Sequence, residues 1–149
     1  MKRIAAGDKR TSFVGSNFFY EDVSGRSLDE DSHELAETTE EHYVVKSTPK
    51  DPGSVEFASW KAWIDKETFI PVKMEYTDDT GEVYRVIEAL EVQDIQGFPT
   101  VTQMKVTDVR TGGNTVSEFR NVEYDVGIPD DVFTERTLRS PSRQWFTGK

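Results

Sequence analysis

Histidine and cysteine carry most nucleophilic, acid–base and metal chemistry at neutral pH, and this chain has two of the first and none of the second. His33 and His42 could face each other across a hairpin turning at 38–41, and two imidazoles with a carboxylate would make a zinc site. The competing reading, which we favour, is two solvated histidines among acids. Asp29-Glu30-Asp31 lacks the central glycine and terminal bidentate glutamate of a calcium loop, so it reads as a solvated charge run. Gly112-Gly113 falls in a hairpin turn rather than between a strand and a helix, which implies no phosphate cradle. There is no Gly-x-Ser-x-Gly elbow, and paired carboxylates in so acidic a chain do not indicate glycoside chemistry. No enzyme activity, metal or cofactor is expected.

What remains is apolar chemistry. Trp60 and Trp63 lie near a strand-like run holding Pro71, Val72, Met74 and Tyr76, and Met74 and Met104 are adaptable apolar side chains. An ordinary sheet core is the alternative for any one of them. A long antiparallel sheet with few helices to cover it would nevertheless leave a concave face under-filled, and such a face suits an acyl chain. Alternation selects Trp63, Val72, Met74, Tyr76, Ile87, Met104 and Phe119 as its lining. A register slip of one residue would reverse any strand's contribution.

The elements that must position these residues follow a period of two. Residues 57–64, 70–76, 83–92, 101–109 and 116–124 are rich in Val, Ile, Thr and aromatics and read as five strands. Turn chemistry separates them: Asp65-Lys66-Glu67-Thr68, Asp78-Asp79-Thr80-Gly81, Gln96-Gly97 and Thr111-Gly112-Gly113-Asn114. Short links imply hairpins and an antiparallel meander. Lys73, Glu75, Glu118 and Arg120 alternate with Val72, Met74 and Phe119, so one face is wet and the other covered. The 83–92 run is apolar on both faces, which marks a strand covered twice or bent by a bulge. Ser27 with Glu30 forms a capping-box pattern that would start a helix, but a single turn without an apolar stripe gains little from packing. The preferred reading is a hairpin of residues 32–37 with 42–47, which raises the strand count to seven.

The length of 149 residues fits one domain, large enough to fold without metal or disulfide. Nine Phe, five Tyr and three Trp separate it from disordered acidic chains. A formal charge of −10 opposes general affinity for nucleic acid or anionic lipid surfaces. Seven acids and no Lys or Arg lie between Ser27 and His42, while the last fourteen residues carry Arg136, Arg139, Arg143 and Lys149 and no acid. No window is apolar enough to span a membrane, and Met1 to Arg10 is too short in apolar residues for a signal peptide's core.

Several phrases, in order and at fitting spacing, resemble the outer-membrane lipoprotein-sorting protein family, relatives of the periplasmic carrier LolA. They are residues 63–73 (WIDKETFIPVK), Gly81-Glu82, residues 115–119 and residues 127–134 (GIPDDVFT). The upstream FVGSNFFYED, residues 13–22, resembles a longer LolA-like subfamily often encoded beside RND-type transporters. The resemblance covers residues 13–138. It implies a mostly β fold, an antiparallel meander forming part of an unclosed LolA/LolB-like β-barrel with few or no long helices, and a hydrophobic cavity for acyl chains. It also implies that residues 32–47 are a strand hairpin. Family members have a signal peptide, an N-terminal helix and several strands ahead of the phrase at Phe13, so residues 1–12 read as a lead-in to a domain entered midway. The family's cavity arginine and covering helix are not expected to have counterparts, and 139–149 reads as a basic tail.

Two functions follow as expectations. The first is a periplasmic carrier that buries lipid or lipoprotein acyl chains without covalent chemistry. The second is a non-enzymatic adaptor of an RND-type envelope transporter, binding through the acidic hairpin or the basic tail. An exposed sheet edge and concave face would favour self-association into a dimer.

Overall fold

The computed structural model describes residue 5 and residues 8–140. The basic tail beyond Ser140 and most of the lead-in before Asp8 lie outside the described residues. A single antiparallel sheet dominates, with strands β1 (Asp31–Thr38), β2 (His42–Pro49), β3 (Ser59–Asp65), β4 (Pro71–Thr77), β5 (Val83–Ile95), β6 (Phe98–Asp108) and β7 (Asn114–Glu118). They lie side by side in chain order, each paired with its sequence neighbours. Among the described residues β1 and β7 are the two edges and do not join, so the sheet is an unclosed meander. Helices α1 (Tyr20–Ser24) and α2 (Glu135–Arg139) have five residues each. The expected mostly β, unclosed meander with few helices is the fold observed.

The turns form by the chemistry their residues supply. Gln96 and Gly97 have φ of 57° and 86° between the paired Ile95 and Phe98, the two positive angles a type I′ hairpin requires. Asp65 Oδ1 accepts from the Thr68 amide at 2.7 Å, and Asp78 Oδ1 accepts from the Thr80 amide at 3.0 Å, closing the β3–β4 and β4–β5 turns. In β5 the register shifts between Ala89 and Glu91 and again before Val92, so the strand is bulged. Its apolar residues on both faces record that bend.

Alternation assigns the two faces. Pairing sets Trp60 opposite Tyr76, Ala62 opposite Met74, Met74 opposite Ile87 and Ile87 opposite Val106, all on one face. The other face carries Lys61, Lys73, Glu75, Glu88 and Lys105. The N-terminal segment crosses the apolar face and seats Phe18, 7% exposed, against Ile87 and Val106, with Phe13, Met74, Tyr76 and Met104 around them. Covering these side chains with one segment is what a single sheet needs to make a core.

Three expectations change. The last strand was expected to reach Tyr124, but β7 stops at Glu118. Asn121 and Asp125 then adopt φ of 55°, which an extended strand does not allow. The capping box at Ser27 forms, with Glu30 Oε1 accepting from the Ser27 amide at 3.3 Å. It yields only the 3₁₀ turn Leu28–Glu30, after which the expected hairpin begins. His33 pairs with Ser47 rather than His42. The two histidines therefore sit five positions apart along β2, roughly 17 Å at the rise of a strand.

Candidate functional site

A cavity of about 210 Å³ lies between the apolar face of the sheet and the N-terminal segment. Strand geometry places its apolar wall. Trp60 comes from β3, Met74 and Tyr76 from β4, Ile87 from β5 and Met104 from β6, with Phe18 closing the top. Trp60 stacks on Tyr76 with ring centroids 6.1 Å apart and an interplanar angle of 23°, and Phe57 meets Tyr76 edge-on at 5.3 Å. Burial pushes the Tyr76 phenol well above its usual range, so it stays neutral at any physiological pH.

The opposite wall is polar. Asp31 is 2% exposed at the start of β1 and receives a fork of hydrogen bonds from Arg26, Nε at 2.9 Å and Nη2 at 2.8 Å. Trp60 Nε1 donates to the same carboxylate at 2.9 Å, which fixes the indole against the cavity. Burial opposes ionisation of Asp31, but the hydrogen bonds from Arg26 and Trp60 and the charge of Arg26 outweigh it, so its carboxyl titrates below the ordinary range. Arg26 also pairs with Glu30 at 2.9 Å and Glu21 at 3.5 Å. Gly25, Ser27, Leu28 and His33 line this wall and are all exposed, so the cavity opens here.

Behind the lining, Arg85 is 4% exposed on the covered face of β5. Its guanidinium grips Asp22, Nη1 to Oδ1 at 3.2 Å with a closer contact from Nη2 to Oδ2, and donates to the Asn17 carbonyl at 3.3 Å. Asp22 Oδ2 in turn accepts from the Phe19 amide at 2.6 Å, so one carboxylate both starts α1 and fastens it to the sheet. The Phe19 ring lies 4.2 Å from the guanidinium carbon. Arg10 joins the Arg26 network instead, pairing with Glu21 at 3.4 Å, which also pairs with Arg26, and with Glu56 at 2.6 Å.

Of the seven residues selected from the sequence, the structure brings four together in the cavity: Met74, Tyr76, Ile87 and Met104. The other three lie elsewhere. Trp63 faces the wet side of the sheet opposite Lys73, whose Nζ lies 4.8 Å from the indole centroid. Val72 falls in a bulge, because Trp63 pairs with Lys73 while Ile64 pairs with Pro71 and leaves Val72 without an opposite residue. Phe119 is 52% exposed beyond the end of β7. Trp60 takes the place expected for Trp63, and Lys61 between them carries the signal, since a charged residue marks the wet face and Trp63 shares its parity.

The polar wall was not anticipated. Asp31 is buried and paired, not part of a solvated charge run. His33 is not a free solvated imidazole either: Nδ1 shares a hydrogen bond with Ser47 Oγ at 2.8 Å and Nε2 lies 2.9 Å from the Leu28 carbonyl. Both ring nitrogens are thereby engaged. No cluster of His, Asp and Glu among the described residues could hold a metal ion.

An open antiparallel sheet curving over an apolar cavity, with the chain's own segment as cover, is a LolA-like fold. A DUF1329 family protein from Desulfovibrio piger superposes with a TM-score of 0.79 at 29% identity, over 92% of this chain and 59% of that one. A putative outer membrane lipoprotein-sorting protein domain from Vibrio parahaemolyticus gives 0.79 at 23% identity, over 93% and 60%. A LolA superfamily protein from Nitrosomonas europaea gives 0.60 at 20% identity, over 87% and 61%. The resemblance to lipoprotein-sorting proteins read from the sequence is thus present in the fold, and the chain spans about three fifths of the length of these solved relatives. A family model described as "Uncharacterized protein" matches residues 1–140, and the chain belongs to that family. No curated protein matches it.

Proposed function

We propose that this protein is a periplasmic carrier of lipid or lipoprotein acyl chains, which it buries reversibly between its sheet and its N-terminal segment. The observation that carries the reading is the cavity walled by Phe18, Trp60, Met74, Tyr76, Ile87 and Met104 and open on one side. Each methylene moved into such a site gains about 0.8 kcal/mol, enough for binding without any covalent step. A volume of 210 Å³ exceeds the ~150 Å³ cavity that takes up a benzene ring but is below the ~300–1,000 Å³ of larger ligand pockets. It therefore receives part of one chain at a time unless the cover moves. Similarity to a putative outer membrane lipoprotein-sorting protein domain and to a LolA superfamily protein supports the carrier role and with it a periplasmic setting.

Residues 13–138 are the unit that does this, with residues 1–12 leading in and the basic tail of 139–149 outside it. The free edges of β1 and β7, with Leu35, Val116 and Phe119 exposed near them, support self-association. Sedimentation velocity over a concentration series should show a dimer; a monomer throughout would remove that part of the reading.

Native mass spectrometry after incubation with a synthetic acylated lipopeptide tests the carrier role. One ligand should be retained by the wild-type chain and lost from Met104→Trp, whose larger ring fills the cavity. An absence of adduct on both proteins would favour instead the adaptor of an RND-type transporter, working through the exposed acids Glu34, Glu37, Glu40 and Glu41.

A further inference from the structure

The carrier reading leaves open what sits at the polar end of the chain that is bound. We infer that the site takes a single-chain amphiphile whose head group donates hydrogen bonds and carries no negative charge. This rests on the acyl-chain reading above and concerns the same cavity.

One arginine, Arg26, lines the cavity, two more, Arg85 and Arg10, stand behind it, and each is already committed. Arg26 is held by Asp31, Glu30 and Glu21, Arg85 by Asp22, and Arg10 by Glu21 and Glu56. Five carboxylates on three guanidiniums leave an excess of two negative charges in this network. The lining itself holds Glu21, Asp22 and Asp31 against Arg26 and His33, and both ring nitrogens of His33 are already engaged, Nδ1 with Ser47 Oγ and Nε2 with the Leu28 carbonyl. Among the described residues of the lining, no lysine and no further arginine is present to receive an anion. An anionic head entering beside Gly25 and Leu28 would have to break an existing ion pair or accept repulsion at close range. A hydroxyl or ammonium head instead meets carboxylate oxygens that can accept its hydrogen bonds.

The apolar wall is indifferent to this choice, because the six side chains that form it are uncharged. Chain length should set the affinity common to all ligands, and the head should set the differences among ligands of equal length. The test compares three probes with one lauryl chain, monolaurin, dodecylamine and laurate, by calorimetric titration below their aggregation concentrations. Monolaurin and dodecylamine should bind at least about tenfold more tightly than laurate. Glu21→Gln, which removes one excess charge beside Arg26 and Arg10, should strengthen laurate binding several-fold. Glu41→Gln, which changes the net charge equally on the distant β1–β2 turn, should not.

Laurate binding as tightly as the other two would overturn the head-group inference while leaving the acyl-chain reading in place. An equal response to Glu21→Gln and Glu41→Gln would overturn it as well, by tracing the preference to net charge alone. Failure of all three probes to bind would remove both readings.

Discussion

Arg85 on β5 and Asp22 in α1, 63 residues apart in sequence, form the ion pair that fastens the N-terminal cover to the sheet. The pair is nearly excluded from solvent, with side-chain exposures of 5% and 12%. Arg85→Met would leave a carboxylate without its partner, a change that costs about 3–5 kcal/mol when the pair is buried. Asp22→Asn should be somewhat milder, because the amide oxygen can still accept from Phe19. The two changes together should destabilise less than their sum, and urea denaturation of the three variants measures that coupling.

Stability should fall on the acid side. Asp78 is held at a pKa of about 2, first by the Thr80 hydroxyl and then by Arg110, and Asp31 is lowered by Arg26 and Trp60. Both carboxyls are more acidic folded than in the unfolded chain, where an aspartate titrates near about 3.9. Their contribution is complete above that value and is lost as pH drops toward and through about 2, since the unfolded chain binds protons first. Asp31→Asn should flatten the acid limb of the melting temperature against pH. An unchanged limb would show that Asp31 does not contribute to it.

Phe18→Ala separates cover from core. The ring is 7% exposed against Ile87 and Val106, and truncating a buried phenylalanine costs about 3–5 kcal/mol. The same change enlarges the cavity that Phe18 closes, so affinity for a long acyl chain should rise while thermal stability falls. Parallel loss of both would mean that the cover is needed to form the site.

Much of the sheet was legible because alternation and turn residues are local signals. Gln96-Gly97 and Asp78 to Gly81 identify their hairpins without any tertiary information, and the wet parity of Lys73 and Glu75 fixes the face of Met74. The cover was not legible as such, because Phe18 lies in an irregular segment where no period shows what it packs against. Arg85 shares parity with Ile87 and could have been placed on the covered face, yet a strand gives no sign that a charge there has a partner 63 residues away. Val72 obeys alternation and still misses the cavity, since a bulge depends on pairing between strands and not on either strand alone.

Trp60 and Trp63 lie on opposite faces of one strand, and that contrast offers the most direct test of where an acyl chain binds. Titration with a bromine-labelled monoacylglycerol should quench tryptophan emission in the wild-type chain and in Trp63→Phe, and much less in Trp60→Phe. Quenching that survives in Trp60→Phe and vanishes in Trp63→Phe would place the chain on the wet face and contradict the account.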